Sequence, residues 1–296
     1  MPRIALATAI GSEDPDMTVL LEACAQGGLQ AEALAWDDST VSWARFDAVV
    51  LRSTWNYASQ RERFLDWCRR IANCTTLFNP LPVIEWNTDK RYLAELAADG
   101  LPVIPCTVVE PAADPLPALR PFLAAGGGSA DFVVKPTVGA SAKGARRFGP
   151  AQEVAAAEHL ARLLDNGQAA LLQPYLSAVD SGGETALVHI DGRLSHAMRK
   201  AALLTGADGA AGTETVTPCE AADDERAVAR QALAAAARRF RLERPPLYAR
   251  VDLIRDDDGA SRLLELELTE PSLFLAQQPD AAARLASALA SRLRHP

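Results

Sequence analysis

Of the chain's 30 basic side chains only four are lysine, at Lys90, Lys135, Lys143 and Lys200; the other 26 are arginine. A lysine kept against that habit marks a place that wants a compact ammonium rather than a planar fork. Lys135 lies in the apolar run Asp131-Phe132-Val133-Val134-Lys135-Pro136, and Gly139-Ala140-Ser141-Ala142-Lys143-Gly144 follows at once. Small residues such as Gly139, Ser141 and Gly144 let backbone N–H groups approach phosphate oxygens. The loop and its lysines therefore suit a polyphosphate; a flexible turn is the alternative. Lys90, at the start of a helix expected over 87–98, is disfavoured there by the helix dipole, which makes it a candidate ligand contact.

Carboxylates form the second group. Two segments, 247–255 and 262–268, flank a turn at 256–261. If 255 opposes 262, Asp252 lies across from Glu265 and Arg250 across from Glu267. Side chains alternate along a strand, so these four share one face, while Val251, Leu253, Leu264, Leu266 and Leu268 share the other. Three acids beside a single arginine need a further cation, because directly opposed like charges destabilise a sheet. Mg2+ is the natural candidate, since it accepts carboxylate oxygens and keeps positions open for water and phosphates. A solvated outer hairpin face is the alternative.

A third feature is the hairpin of 184–190 and 193–200 around Asp191-Gly192, a strong two-residue turn signal. That turn sets Glu184 opposite Arg199, either as an ordinary cross-strand ion pair or as an arginine facing a ligand phosphate. His189 and His196 lie in the same hairpin as satisfied sheet residues, while His159 and His295 belong to the surface. No Ser-His-Asp or Cys-His arrangement is present.

The elements that must carry these groups alternate strand and helix at the N-terminus. Strands are expected at 3–7, 29–34 and 46–51, with a helix ended by Gly27-Gly28 and another carrying Phe64, Trp67, Cys68 and Ile71. Such an open α/β lobe binds ligands at strand C-termini, where Arg52 and Ser53 fall. A helix over 87–98 stops before Gly100 and Pro102. The stretch 111–130, with its prolines and glycines, reads as surface connection. Strand 131–136, a helix near 152–164 and strand 169–176 make a small middle lobe. A long helix near 223–240 and a last one over 280–293 complete the chain.

Composition narrows the function classes. At 296 residues, 49% hydrophobic and 23% charged, the chain can bury a large core in two or three lobes. It has no run of 18 apolar residues and no basic-then-apolar leader, which predicts a cytoplasmic protein without membrane contact. Five cysteines without a C-x-x-C pair read as reduced thiols rather than a zinc site. The net charge of −8 argues against a nucleic-acid partner.

Taken together, the motifs resemble the ATP-grasp superfamily over nearly the whole chain. The marks are Asn87-Thr88-Asp89-Lys90, Phe132-Val133-Val134-Lys135-Pro136 with its glycine loop, and Leu171-Leu172-Gln173-Pro174-Tyr175-Leu176. They continue with the Glu184 hairpin ending in Arg199-Lys200, then Arg250-Val251-Asp252 and Leu264-Glu265-Leu266-Glu267-Leu268. The resemblance implies an α/β fold of the α+β ATP-grasp kind: an N-terminal open α/β lobe (1–86), a central lobe with a small mobile lid (87–176), and a C-terminal antiparallel-sheet lobe holding metals (177–296). It implies ATP and Mg2+ as cofactors. Lys90, Lys135, Gly139, Ser141, Lys143 and Gly144 would serve the phosphates. Gln173, Pro174, Tyr175 and Leu176 would lie against the base, and Glu184 would take the ribose hydroxyls or adenine edge. Arg199, Lys200 and Arg250 would act on the transferred phosphate, and Asp252, Glu265 and Glu267 would hold Mg2+. Relatives commonly have Glu-x-Asn where this chain has Glu265-x-Glu267, so Glu267 could instead pair with Arg250.

The segments 52–57 and 268–274 are similar to a subgroup that includes a cyclo-ligase of antibiotic biosynthesis, which closes O-ureido-D-serine to D-cycloserine through an acyl phosphate. That likeness implies a small amino-acid-like substrate, met by Arg52, Ser53, Glu270 and Ser272. An intermolecular amino-acid ligase and a non-catalytic nucleotide-binding protein are the rivals. Dimers are frequent among ATP-grasp proteins.

Overall fold

Residues 1–127, 130–204 and 215–294 are described from a computed structural model. The chain begins with β1 (Arg3–Thr8), α1 (Met17–Gln26), β2 (Gln30–Ala35), β3 (Ala48–Leu51), α2 (Arg61–Ala72) and β4 (Thr76–Phe78). These four strands form a parallel sheet in the order β2-β1-β3-β4. β3 is buried along its whole length, as expected of a strand covered on both faces. The chain leaves β1 toward one edge of the sheet and β3 toward the other. The loops after these two strands therefore flank a crevice at the strand C-termini.

Two short helices, α3 (Leu81–Asn87) and α4 (Tyr92–Ala98), lead to β5 (Thr107–Val109) and α5 (Pro115–Phe122). A second sheet, ordered β5-β8-β6-β7, is built from β6 (Phe132–Pro136), β7 (Arg146–Phe148) and, after α6 (Glu153–Asp165), β8 (Ala170–Pro174). Its pairings are antiparallel. α6 lays Ala156, Leu160, Leu163 and Leu164 against Phe132, Val134 and Leu172 of the sheet.

After α7 (Ala178–Gly182) come β9 (Glu184–Ile190), β10 (Arg193–Lys200), β11 (Val216–Cys219), α8 (Asp223–Arg239), β12 (Tyr248–Arg255), β13 (Ser261–Glu267) and α9 (Pro279–Arg294). The third sheet is antiparallel, in the order β11-β10-β9-β12-β13. One of its faces packs Leu187, Ala197, Val251, Leu253 and Leu266 under α8. The other sends Ala186, Val188, Met198 and Tyr248 into a core shared with β1, α1 and α9. That shared core is what fixes the first sheet against the third.

Several expectations needed correction. The stretch 111–130 is not all connection: α5 lies within it, with Pro115 in its first turn, where proline has no N–H to lose. Its Leu119 and Phe122 are buried in the core under the second sheet. The helix expected over 87–98 starts later: it is α4, from Tyr92, while Asn87 closes α3 and Lys90 lies in the turn between the two helices. His159 is buried rather than on the surface, because α6 places it on the same stripe as Ala156 and Leu163. His295 lies outside the described residues.

Both hairpin registers carry a bulge. In the first, the pairing shifts between Leu194 and His196, so Lys200, not Arg199, stands opposite Glu184. In the second, Arg255 opposes Ser261 rather than Arg262, and the extra residue is Leu264. Beyond that bulge Asp252 faces Glu265 and Arg250 faces Glu267, as expected. One added residue reverses the face of everything on its far side. Leu264 therefore leaves the apolar face and lines the cavity described next.

Candidate active site

The three sheets enclose a cavity of about 560 Å³. The second sheet and the glycine loop close one side, the third sheet forms the floor, and Pro15, Trp55 and Tyr57 come from the crevice of the first sheet.

The glycine loop is anchored at both ends. Ser141 and Ala142 have φ of 54° and 53°, and Gly144 has 77°. A Cβ at Gly144 would meet the Pro136 ring at 3.2 Å, so both conformation and closeness require glycine there. Lys90 donates to the Gly139 carbonyl at 2.8 Å, and its backbone N–H donates to Thr137 at 2.8 Å. His159 Nε2 lies 2.8 Å from the Gly144 carbonyl, and burial lowers the pKa of that imidazole. Gly139, Ser141 and Lys143 line the cavity, whereas Gly144 serves the turn from outside it.

Besides Lys143 in the loop, four cations line the space: Lys90, Lys135, Lys200 and Arg250. Facing them stand four acids. Lys135 Nζ donates to Glu265 at 3.2 Å, and Lys90 lies 3.6 Å from the same carboxylate. Lys200 bridges Glu184 at 2.9 Å and Asp252 at 3.0 Å. Arg250 grips Asp252 with two bonds of 2.8 and 2.9 Å and also donates to Glu267. Such planar two-point contacts are the strong form of ion pair.

The ionisation of the acids follows from these neighbours. Burial works to raise Asp252, but Arg250 and Lys200 outweigh it and hold the carboxyl below its usual value. Glu265 is lowered in the same way by Lys90 and Lys135. Burial raises Glu184, with Lys200 offsetting part of the effect. It pushes Glu267 up to about 7 in spite of Arg250.

Among the described residues no group of three acidic, histidine or cysteine side chains could ring a metal ion unaided. The three acids expected to hold Mg2+ share one face as predicted, but the internal cations already claim them. Their oxygen chemistry still fits Mg2+, which uses one or two carboxylates and completes its shell with water and nucleotide phosphates. An all-protein cage is not what that ion needs.

Gln173 lines the same cavity and is buried, and its Nε2 has no partner among the described residues. Pro174, Tyr175 and Leu176 line the wall beside it. An amide donor held dry with nothing to bond is suited to a flat heterocycle with acceptor nitrogens.

Three expected site residues fall elsewhere. Arg199 is half-buried on the α8 face of the sheet, beside Cys219, because the bulge in β10 gives its place to Lys200. Arg52 and Ser53 are buried and do not line the cavity. Arg52 donates to the Pro271 carbonyl at 3.1 Å and lies 3.5 Å from Asp16. Asp16 in turn accepts the N–H groups of Leu273 and Ala276 at 3.1 and 3.0 Å. The pair clamps the segment carrying Glu270 and Ser272, both of which do line the cavity.

Trp55 and Tyr57 were not singled out from the sequence. Trp55 Nε1 donates to the Glu270 carbonyl at 3.1 Å, and the Tyr57 hydroxyl lies beside the Glu270 side chain. Their signal was available: two aromatics just past the end of β3, where a crevice is expected.

This arrangement has close counterparts. A protein of Streptomyces lavendulae described as cycloserine biosynthesis protein DcsG is 48% identical over 284 residues, covering 95% of each chain. The chain belongs to the D-cycloserine synthetase family. A family model for the N-terminal domain of D-cycloserine synthetase DcsG matches residues 4–79. The crystal structure of D-cycloserine synthetase DcsG superposes with a TM-score of 0.94 at 47% identity, covering 98% of this chain and 99% of that one. The fold alone is shared with the ATP-grasp ligase PsnB in complex with AMPPNP and a precursor peptide. That match has 18% identity and a TM-score of 0.65, over 99% of this chain and 97% of that one. PsnB has also been solved with Mg and ADP, and there the TM-score is 0.62 at 19% identity over 98% of each chain. This member of the synthetase family is an ATP-grasp ligase, an enzyme that forms a C–N bond. Among the described residues no helix is long and apolar enough to cross a membrane.

Proposed function

We propose that the enzyme uses ATP and Mg2+ to activate the carboxylate of O-ureido-D-serine as an acyl phosphate and then closes the molecule to D-cycloserine. The observation that carries this reading is the convergence of Lys90, Lys135, Lys200 and Arg250 on one cavity that is also lined by an unpartnered Gln173 amide. The first, second and third sheets act as three lobes around it, with boundaries near 86 and 176.

The base lies against 173–176 beneath the second sheet, and Glu184 receives the ribose hydroxyls. The phosphates run under the glycine loop past Lys90 and Lys135. Lys200 and Arg250, rather than Arg199, stabilise charge on the phosphoryl group in transfer, chiefly by position and field. Glu265 and Glu267, the more exposed of the three acids, would hold Mg2+ together with Asp252, and the ion would supply positive charge to the triphosphate.

In the first half-reaction the substrate carboxylate oxygen attacks the γ-phosphorus and ADP leaves. In the second, the nitrogen on the aminooxy end of the same molecule attacks the acyl carbon. A C–N bond forms, the C–O bond to phosphate breaks, and inorganic phosphate departs, leaving a ring whose nitrogen still carries the carbamoyl group. Water then adds to the carbamoyl carbon, the bond from that carbon to the ring nitrogen breaks with the proton going to the nitrogen, and the released carbamate falls to ammonia and carbon dioxide. Holding both ends in one pocket gives the closure its intramolecular advantage.

The test is incubation of the pure protein with ATP, Mg2+ and O-ureido-D-serine, followed by mass spectrometry and ADP measurement. A ring product from one substrate molecule supports the reading. An adduct of two amino acids would make it an intermolecular ligase, and no ADP release with either substrate class would leave a nucleotide-binding protein.

A further inference from the structure

We infer that Glu270, presented with Tyr57 at the acceptor end of the cavity, receives the α-ammonium group of the substrate, so that the enzyme selects a zwitterionic amino acid over the matching simple carboxylic acid. The inference rests on the proposed function above and assigns a task to one residue within it.

Among the described residues, the acids that line the floor each have a protein cation: Glu184 and Asp252 have Lys200, Asp252 and Glu267 have Arg250, and Glu265 has Lys135 and Lys90. Glu270 has none within ion-pairing distance, although it is only 9% exposed and lines the same cavity. The Tyr57 hydroxyl is beside it, while Lys90 and Arg250 act on the carboxylate only from beyond ion-pairing distance. A buried carboxylate without a counter-charge is costly, and the fold meets that cost by favouring the proton. Burial, reinforced by Glu267, pushes the group up to about 8, more than Lys90 and Arg250 offset from a distance. A ligand cation supplies the missing partner and returns the group to its ionised form.

The carboxylate is also prevented from turning out to solvent. Trp55 holds its carbonyl, Arg52 holds the next one along, and Asp16 holds the N–H groups of Leu273 and Ala276. Arg250, which faces the phosphate side, donates to the Ser272 carbonyl at 3.1 Å. One loop thus ties the arginine that attracts a substrate carboxylate to an acid that attracts an ammonium. In an amino acid those two groups hang from a single carbon. An ammonium, compact and carrying three donors, suits a carboxylate already shared with one hydroxyl.

The experiment compares O-ureido-D-serine with 3-(ureidooxy)propanoic acid, which lacks only the α-amino group, in wild-type protein and in Glu270→Gln and Glu270→Asp. Steady-state ADP release gives kcat and KM, and calorimetry with AMPPNP and Mg2+ present gives binding without turnover. The wild type should prefer the amino acid by about 10²-fold or more, since a site built for a polar group rejects an analogue that lacks it. Glu270→Gln should lose most of that preference through KM for the amino acid. It should leave the analogue within a few-fold, with the KM for ATP unchanged. Glu270→Asp should restore part of the preference.

An unchanged preference in Glu270→Gln would overturn the inference. So would an equal fall in kcat for both compounds, which would mean that Glu270 acts on the reacting nitrogen instead. If wild-type protein neither binds nor converts O-ureido-D-serine, the proposed function fails first, and that outcome is visible before any variant is made.

Discussion

At the end of the cavity under the glycine loop, Glu184, Asp252, Glu265 and Glu267 each stand against a lysine or arginine. At the acceptor end Glu270 is equally buried, with a tyrosine hydroxyl for company. The first region is a lattice of alternating charge, stable without a ligand and ready to exchange its internal pairs for phosphates and Mg2+. The second is left short of one positive charge. Ionised side chains without partners are expensive in a protein interior, so the difference marks what each end waits for: an anion at one, a cation at the other.

The lattice can be broken at its centre. Arg250→Ala removes the bonds to Asp252 and Glu267 and the support of the Ser272 carbonyl, leaving two buried carboxylates exposed to each other. Denaturant unfolding should show a loss of about 3–5 kcal/mol. A loss below about 1 kcal/mol would mean that the acids relieve themselves by taking protons, and that the lattice is not what holds this face together.

Next in size is Lys135→Ala. Lys135 is nearly buried beside Glu265 in β6 and gains nothing from solvent. Its loss should lower kcat/KM for ATP by about 10²–10³-fold, the usual scale for removing one preorganised electrostatic contact. The protein should remain folded by circular dichroism. Unchanged ATP turnover in this variant would sink the phosphate-side assignment as a whole.

The two ends of the cavity differed in how far they could be read from the sequence. The lysines, the glycine loop and the acids of β12 and β13 announced themselves by residue type and period. Arg250, Asp252, Glu265 and Glu267 share a face because alternation survives any even shift of register. What failed was local counting through turns. Neither Ser195 nor Leu264 carries a mark that it is the extra residue of a bulge, yet the first decides whether Arg199 or Lys200 enters the cavity. At the acceptor end, Arg52 and Ser53 sit at a strand terminus as expected of ligand contacts. The segment 269–276 folds over them, and that is a contact across more than two hundred residues which no local pattern encodes. Helix α5 was hidden by prolines that read as breakers and in fact occupy a first turn.

The imbalance at the acceptor end should be visible in stability alone. The folded state prefers Glu270 protonated, with its pKa raised from 4.5 to about 8. Its contribution is therefore present in full below the unfolded pKa near 4.5 and lost as pH climbs through about 8. Glu270→Gln has no proton to lose. Thermal melting of ligand-free protein from pH 5 to 9 should find the variant gaining on the wild type. The gap should reach on the order of 2 kcal/mol once water entering the cavity has relaxed part of the burial. Parallel melting curves across that range would mean that Glu270 already has a counter-charge, and the contrast between the two ends would vanish.

The smallest effect concerns how the anion-binding end is held in shape. The segment after β13 is clamped by Asp16, Arg52 and Trp55, each in the first lobe, whereas the glycine loop has Lys90 at one end and His159 at the other. Lys90 is also a candidate phosphate contact, so its removal would confuse two roles. His159 lies behind the loop on α6 and lines no part of the cavity. His159→Phe keeps the apolar packing with Phe148, whose ring centroid lies 5.8 Å away, and deletes the bond to the Gly144 carbonyl. A single hydrogen bond of this kind is worth about 1 kcal/mol. The KM for ATP should therefore rise by about five-fold while kcat and the preference between amino acid and analogue stay put. If the preference moved as well, the two ends would be mechanically coupled through the second sheet rather than independent.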